Sequence, residues 1–122
     1  MPSGAGAETG WAAVHEFGIM ETVLRDAAAA SRGAPLRALT VRVGPLSGVV
    51  VDSLRFAFES LAPGGPAEGA RLVVEETKPA FRCPDCGTLY ETPVGDYHCP
   101  ACDSVRGELV AGNEMELLSI EV

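Results

Sequence analysis

From Val14 onward the chain alternates between two rhythms of apolar and polar positions. Ile19, Met20, Val23, Leu24 and Ala27 recur at helical spacing and Ala28 to Ala30 add helix formers before Gly33 and Pro35, so a helix is predicted from about His15 to Arg32. The period then shortens. Arg37, Leu39, Val41 and Val43 alternate with Ala38, Thr40 and Arg42, which predicts a half-buried strand over Leu36 to Val43, closed by Gly44-Pro45. A second helix follows through Leu54, Phe56, Ala57, Phe58 and Leu61, with Asp52 or Ser53 as its expected N-cap and Pro63-Gly64-Gly65-Pro66 as its end. Two more strands are predicted, Arg71 to Thr77 and Glu114 to Val122, the latter with Leu118, Ile120 and Val122 on one face. Residues 1 to 13 are rich in Gly, Ala and Ser and lack a hydrophobic period apart from the lone Trp11, so a flexible leader is expected there.

Between the last two strands lie all four cysteines, in the spacing Cys83-x2-Cys86-x12-Cys99-x2-Cys102. Two Cys-x-x-Cys knuckles separated by a short excursion let four thiolates converge on one tetrahedral metal. Pro84 and Pro100 sit inside the knuckles and Gly87 follows the first, which suits a backbone that turns beneath a metal. The opening residues show neither a basic n-region nor an apolar h-region, so export and disulfide pairing are not expected. Zinc suits four thiolates best, and a rubredoxin-like iron site would use the same knuckles. His98 is expected beside the site or in solvent, because four thiolates already close it. Asp103 stands where glycine often follows a second knuckle and is expected to restrain that turn.

The order of elements implies an architecture. Strands on either side of the cysteine segment each need a sheet partner, so residues 79–111 read as an excursion from a discontinuous α/β domain formed by 14–78 and 112–122. The fold class expected is α+β, a small sheet of about three strands with two helices, plus an inserted zinc-ribbon domain. The main domain would hold about 76 residues, and the metal would supply much of the excursion's folding free energy.

Composition narrows the function. A formal charge of −8 argues against a general nucleic-acid binder, since phosphate-backbone binding needs clustered Lys and Arg. The cysteine segment carries only Arg82 and Arg106 against Asp85, Glu91, Asp96, Asp103 and Glu108. No run approaches 18 apolar residues, so no membrane span is expected and the cytoplasm is the expected location. No P-loop, nucleophile elbow or paired catalytic carboxylates appear, and a four-thiolate metal leaves no position open for water activation. No enzymatic activity is expected.

His15 and Glu16 stand side by side at the expected start of the first helix, outside its apolar stripe. Read locally, Glu16 complements the positive end of the helix dipole and His15 is a solvated residue. A wider pattern adds to this. Val14-His15-Glu16 with Ile19, Val43-Gly44-Pro45-Leu46-Ser47, Ser53 to Glu59, Ala67-Glu68-Gly69-Ala70 and the paired knuckles together resemble the HypA/HybF family of hydrogenase-maturation nickel chaperones, over residues 14–122. The resemblance implies a nickel-binding domain joined to a four-cysteine zinc domain, Ni(II) as transferred cargo, and Zn(II) as a structural ion. It further implies a partner GTPase of the HypB type and the hydrogenase large subunit as recipient, with urease served in some members. The alternative reading is a rubredoxin-like or zinc-ribbon binding module with no nickel role.

In that family nickel is held by an opening Met-His-Glu, where terminal amine, amide nitrogen and His Nδ1 form fused chelate rings that suit planar d8 Ni(II). Carried over by position, His15 becomes the imidazole ligand and Glu16 the supporting residue. The family's Met falls on Val14, with thirteen residues before it, so translation is expected to begin at position 14, a GUG start being rendered as Val when read internally. Glu59 and the Arg55 face of the second helix are expected to be exposed for docking.

Overall fold

Among the described residues the strands are shared between two separate three-stranded sheets. The computed structural model describes residues 4–93 and 96–122, with the side chains of the first helix described from His15 on. In chain order the elements are α1 (Gly4–Ser31), β1 (Ala38–Val43), α2 (Val51–Leu61), β2 (Arg71–Glu76), β3 (Ala80–Arg82), β4 (Leu89–Glu91), β5 (Glu108–Ala111) and β6 (Met115–Glu121). The first sheet has strand order β2-β1-β6 and the second β4-β3-β5. β1 and β2 run parallel, which demands a crossover, and α2 provides it. The chain then leaves for the second sheet and returns as β6, antiparallel to β1. Two helices on a small sheet, with a second sheet inserted before the last strand, is the α+β arrangement the sequence implied.

Both helices cover one side of the first sheet. Leu39, Val41 and Val43 of β1 and Leu72 of β2 bury their side chains with Met20, Val23 and Ala27 of α1 and Leu54, Ala57 and Phe58 of α2. Full burial of each larger side chain contributes about 1.5–3 kcal/mol, so this layer holds the unit together. Phe17 and Phe56 close the helix pair at the surface, edge to face at 5.9 Å. On the sheet's other side Arg42 donates to Glu75 at 2.9 Å and to Glu116 at 3.4 Å, one guanidinium linking all three strands.

Three details differ from the sequence reading. The first helix starts at Gly4, not near His15, so residues 4–13, expected as a flexible leader, have helical backbone, while 1–3 lie outside the described residues. It ends as expected: Arg32 (φ 52°) and Gly33 (φ 87°) both turn left-handed after Ser31. The second helix is not capped by Asp52 or Ser53. Its N-cap is Val50, in extended conformation and without any side-chain cap bond. Finally, the pairing of β1 with β6 shifts register between Thr40 and Val41, opposite Ser119 and Leu117. Leu118 is the extra residue of that bulge and is exposed, so Leu117, Ile120 and Met115 reach the core instead of an alternating Leu118, Ile120, Val122 set.

Candidate metal centre

The two knuckles fold alike. In the first, Gly87 donates its N–H to the Cys83 carbonyl at 2.7 Å and Cys83 donates to Thr88 at 2.9 Å; in the second, Asp103 donates to Cys99 and Cys99 to Ser104, both at 2.9 Å. Gly87 (φ 79°) and Asp103 (φ 62°) occupy the same left-handed position in each turn. Asp103 thus fills a site that favours glycine, which a short polar side chain tolerates. The inner cysteines, Cys83 and Cys99, are buried and the outer ones, Cys86 and Cys102, are exposed.

All four sulfurs lie within 4.8 Å of one another, with Cys83 to Cys102 at 3.5 Å and Cys86 to Cys99 at 3.6 Å. A tetrahedral ion with bonds of about 2.3 Å places its sulfurs about 3.8 Å apart, so the quartet fits a four-coordinate metal and no disulfide is formed. The electrostatics agree. Cys86 is drawn down to about 6, first by the Thr88 hydroxyl, 3.2 Å from its sulfur, and then by the Thr88 backbone N–H. Cys102 is pushed up to about 12: the Ser104 N–H opposes the shift, and the bond to Cys83, burial and the sulfurs of Cys86 and Cys99 outweigh it. Four thiolates this close resist joint ionisation, and a divalent cation among them removes the conflict.

The surroundings hold the quartet in shape. Asp85, inside the first knuckle, accepts from Ser104 Oγ and from Arg106, each at 2.5 Å, and so ties the first knuckle to the chain leaving the second. Beneath the sulfurs, Phe81 stacks on Tyr90 at 5.7 Å and lies 5.0 Å from Tyr97, and Tyr90 donates its hydroxyl to the Tyr97 carbonyl at 3.0 Å. His98 is exposed and pairs with Asp96 at 2.8 Å, a bond that raises the imidazole's pKa. It is not gathered into the sulfur cluster.

The other candidate residues stand on α1. His15 is exposed, at the rim of a groove of about 820 Å³ between α1 and β6 that Ile19, Val23, Asp26, Met115 and Glu116 also line. Glu16 has a different environment. It is fully buried, its Oε2 accepts the backbone N–H of Val50 at 2.8 Å, and its Oε1 has no hydrogen-bond partner among the described residues. Glu16, Met20, Val23 and Ala27 follow one another at helical intervals, so Glu16 lies in the buried stripe rather than outside it, and because α1 starts at Gly4 it stands well inside the helix rather than at its positive end. Among the described residues the cysteine quartet is the one group of three or more Cys, His, Asp or Glu side chains gathered within metal-binding reach. Of the expected docking residues, Glu59 and Arg55 are both exposed, and Arg55 donates to the Leu72 carbonyl at 3.3 Å.

Residues 14–122 match the family model described as hydrogenase/urease nickel incorporation, metallochaperone, hypA. The chain belongs to the HypA family. Relatives named hydrogenase maturation factor HypA include one from Chloroflexus aurantiacus, 39% identical over 112 residues that cover 88% of this chain and 98% of that protein. Another, from Picosynechococcus, is 41% identical and covers 89% of this chain and 99% of that protein. The solution structure of the Ni metallochaperone HypA from Helicobacter pylori shares the fold, with a TM-score of 0.61 at 23% identity, covering 87% of this chain and 95% of that one. A second HypA solution structure gives 0.65 at 25% identity, over 88% and 95%. HypA proteins are metallochaperones and maturation factors rather than enzymes, which agrees with a sulfur quartet that leaves a metal no free position. Among the described residues no helix is long and apolar enough to cross a membrane.

Proposed function

We propose that this chain carries Ni(II) on His15 and hands it over during assembly of the NiFe hydrogenase centre, while Cys83, Cys86, Cys99 and Cys102 keep a structural Zn(II). The observation that carries this reading is the exposure of His15, second residue of the family-matched span, at the mouth of an open groove and apart from the sulfur quartet. A cargo ion needs donors it can leave; a structural ion needs a closed set. An imidazole at the surface and four convergent thiolates meet those two demands separately. Glu16 supports the site as the neighbour of the imidazole ligand.

In the same reading, 14–78 with 112–122 form the nickel-binding domain and 79–111 the zinc domain. The protein works in the cytoplasm, where thiols remain reduced. It exchanges metal with a HypB-type GTPase and the hydrogenase large subunit.

Planar nickel coordination through an amine and amides requires those nitrogens to be free. Within a continuous helix, amide N–H groups are committed to carbonyls four residues earlier. Helix α1 begins at Gly4, so the amides at 15 and 16 become available only where the helix opens at position 14. Nickel titration calorimetry on two zinc-loaded forms tests this, one beginning at Met1 and one at residue 14 with Met in place of Val14. Tighter binding by the shorter form is the expected result. Equal affinity removes the amine from the ligand set, and absence of binding in both overturns the nickel reading.

A further inference from the structure

We propose that Glu16 is a positioning residue: its carboxylate closes the N-terminus of α2 from the neighbouring helix and so fixes the backbone that presents His15. The capping role stands on the geometry alone, and its consequence for His15 rests on the nickel reading above.

A helix start leaves backbone N–H groups without intrahelical partners. In a capping box, a Glu or Gln at the third helical position reaches back to the N–H of the N-cap residue. Helix α2 lacks both halves of that device. Its N-cap is Val50, whose side chain cannot accept, and its third position is Ser53, too short to reach back. The missing carboxylate comes from 34 residues away: Glu16 Oε2 takes the Val50 N–H at 2.8 Å. It also sets a negative group against the positive end of the α2 dipole.

Burial strengthens the inference. Glu16 is fully enclosed in the stripe that continues through Met20, Val23 and Ala27, where an apolar side chain would ordinarily stand. A carboxylate there is costly unless it makes a bond that water would otherwise supply, and Val50 is the partner the fold provides. The loop carrying Val50 is held at other points as well: Leu46 donates to Gly112 at 2.7 Å and Val49 to Ser47 Oγ at 3.1 Å. The Glu16 bond therefore joins α1, one residue beyond His15, to a loop already anchored near the start of β6. Turning Glu16 outward to ligate nickel would surrender that bond.

Hydrogen exchange at the Val50 amide reads this directly, in zinc-loaded full chain, for wild type, Glu16→Gln and Glu16→Ala, with and without Ni(II). The proposal expects a protected Val50 amide in wild type, exchange about tenfold faster in Glu16→Ala, and protection largely restored in Glu16→Gln, whose carbonyl still accepts. It further expects Ni(II) to leave Val50 protection in wild type unchanged, and Glu16→Gln to bind Ni(II) within about twofold of wild type, as a non-ligand should. Unchanged exchange in Glu16→Ala overturns the cap. Deprotection of Val50 when Ni(II) is added, with nickel binding abolished in Glu16→Gln, makes Glu16 a ligand and overturns the positioning role. Should Glu16→Ala fail to fold, the Glu16→Gln arm still decides, because fast exchange at Val50 in that variant contradicts the proposal. If wild type takes up no nickel, the nickel reading falls while the exchange comparison stands.

Discussion

Gly44 and Gly112 meet backbone to backbone: a Cβ on Gly44 would overlap the carbonyl group of Gly112. Gly44 donates to the Glu114 carbonyl at 2.8 Å and Leu46 to the Gly112 carbonyl at 2.7 Å, so the loop after β1 is laced to the segment that re-enters the first sheet. Gly112, at φ 121°, in turn lies against Pro79, where the chain leaves that sheet. The two sheets are thus joined where three backbone segments cross with no side chain between them.

Gly44→Ala should destabilise the protein by about 3 kcal/mol, the upper range of overpacking, because the atoms it meets are backbone and cannot swing aside. Gly48→Ala is the control. It has a left-handed φ of 81° but open space around it, so only the conformational cost of about 1–2 kcal/mol applies. Urea denaturation of both variants checks the order, and equal losses would contradict it.

The same junction should be acid-sensitive. The Gly112 N–H, then its own N–H and the Thr77 hydroxyl, hold the Glu114 carboxyl below the usual carboxylate range. A depressed folded pKa stabilises the fold above the unfolded value, and that contribution is lost as pH falls through the folded one. Glu114→Gln should therefore be less stable at neutral pH and show a flatter acid limb, followed by NMR signals from β1 and β6 in urea series between pH 7 and 3. Parallel curves for variant and wild type would show that Glu114 contributes no such linkage.

How much of this was legible beforehand depended on whether the cause was local. The cysteine quartet was, because a tetrahedral ion dictates spacing along a short stretch, and so was the β1 face, since Leu39, Val41 and Val43 alternate within one strand. Leu118 was misplaced because a bulge belongs to two strands at once and leaves no mark on either alone. Asp52 and Ser53 are better caps than Val50 by type, yet a carboxylate arriving from α1 lets Val50 hold the position. Glu16 is in phase with Met20, Val23 and Ala27, yet the sequence reading set it outside the apolar stripe, because a charged residue there makes sense only once its distant partner is known. The run from Gly4 to Ala13 lacks a hydrophobic period, so alanine's propensity was the only cue to the longer helix.

Metal removal should affect the two sheets unequally. The second sheet's enclosed side chains are few, Phe81 and Tyr90 with Cys83 and Cys99 themselves, so its folding would rely on the zinc proposed for the quartet, an ion worth about 10 kcal/mol or more in zinc-finger peptides. Chelation at neutral pH should collapse the dispersion of NMR signals from residues 80–111 while β1, β2 and β6 keep theirs. Simultaneous loss of both sets would mean that the first sheet also depends on the metal.

Asp85 should govern how firmly zinc is kept. Its carboxylate, lowered in pKa first by the Ser104 hydroxyl and then by Arg106, clamps the first knuckle to the exit of the second. Asp85→Ala should speed zinc loss to a chromogenic chelator by about tenfold, the lower end seen when residues supporting metal ligands are removed. The advantage over the variant should shrink as acid protonates the carboxylate. An unchanged rate at neutral pH would reduce the clamp to a surface ion pair.

The division of labour proposed for the two metals is tested most directly by one comparison: nickel titration of zinc-loaded wild type and His15→Ala, read by ultraviolet-visible absorption with zinc quantified in the same samples. The account predicts one Ni(II) per chain in wild type, its loss in His15→Ala, and one Zn(II) per chain in both. Equal nickel loading of the two proteins would contradict it.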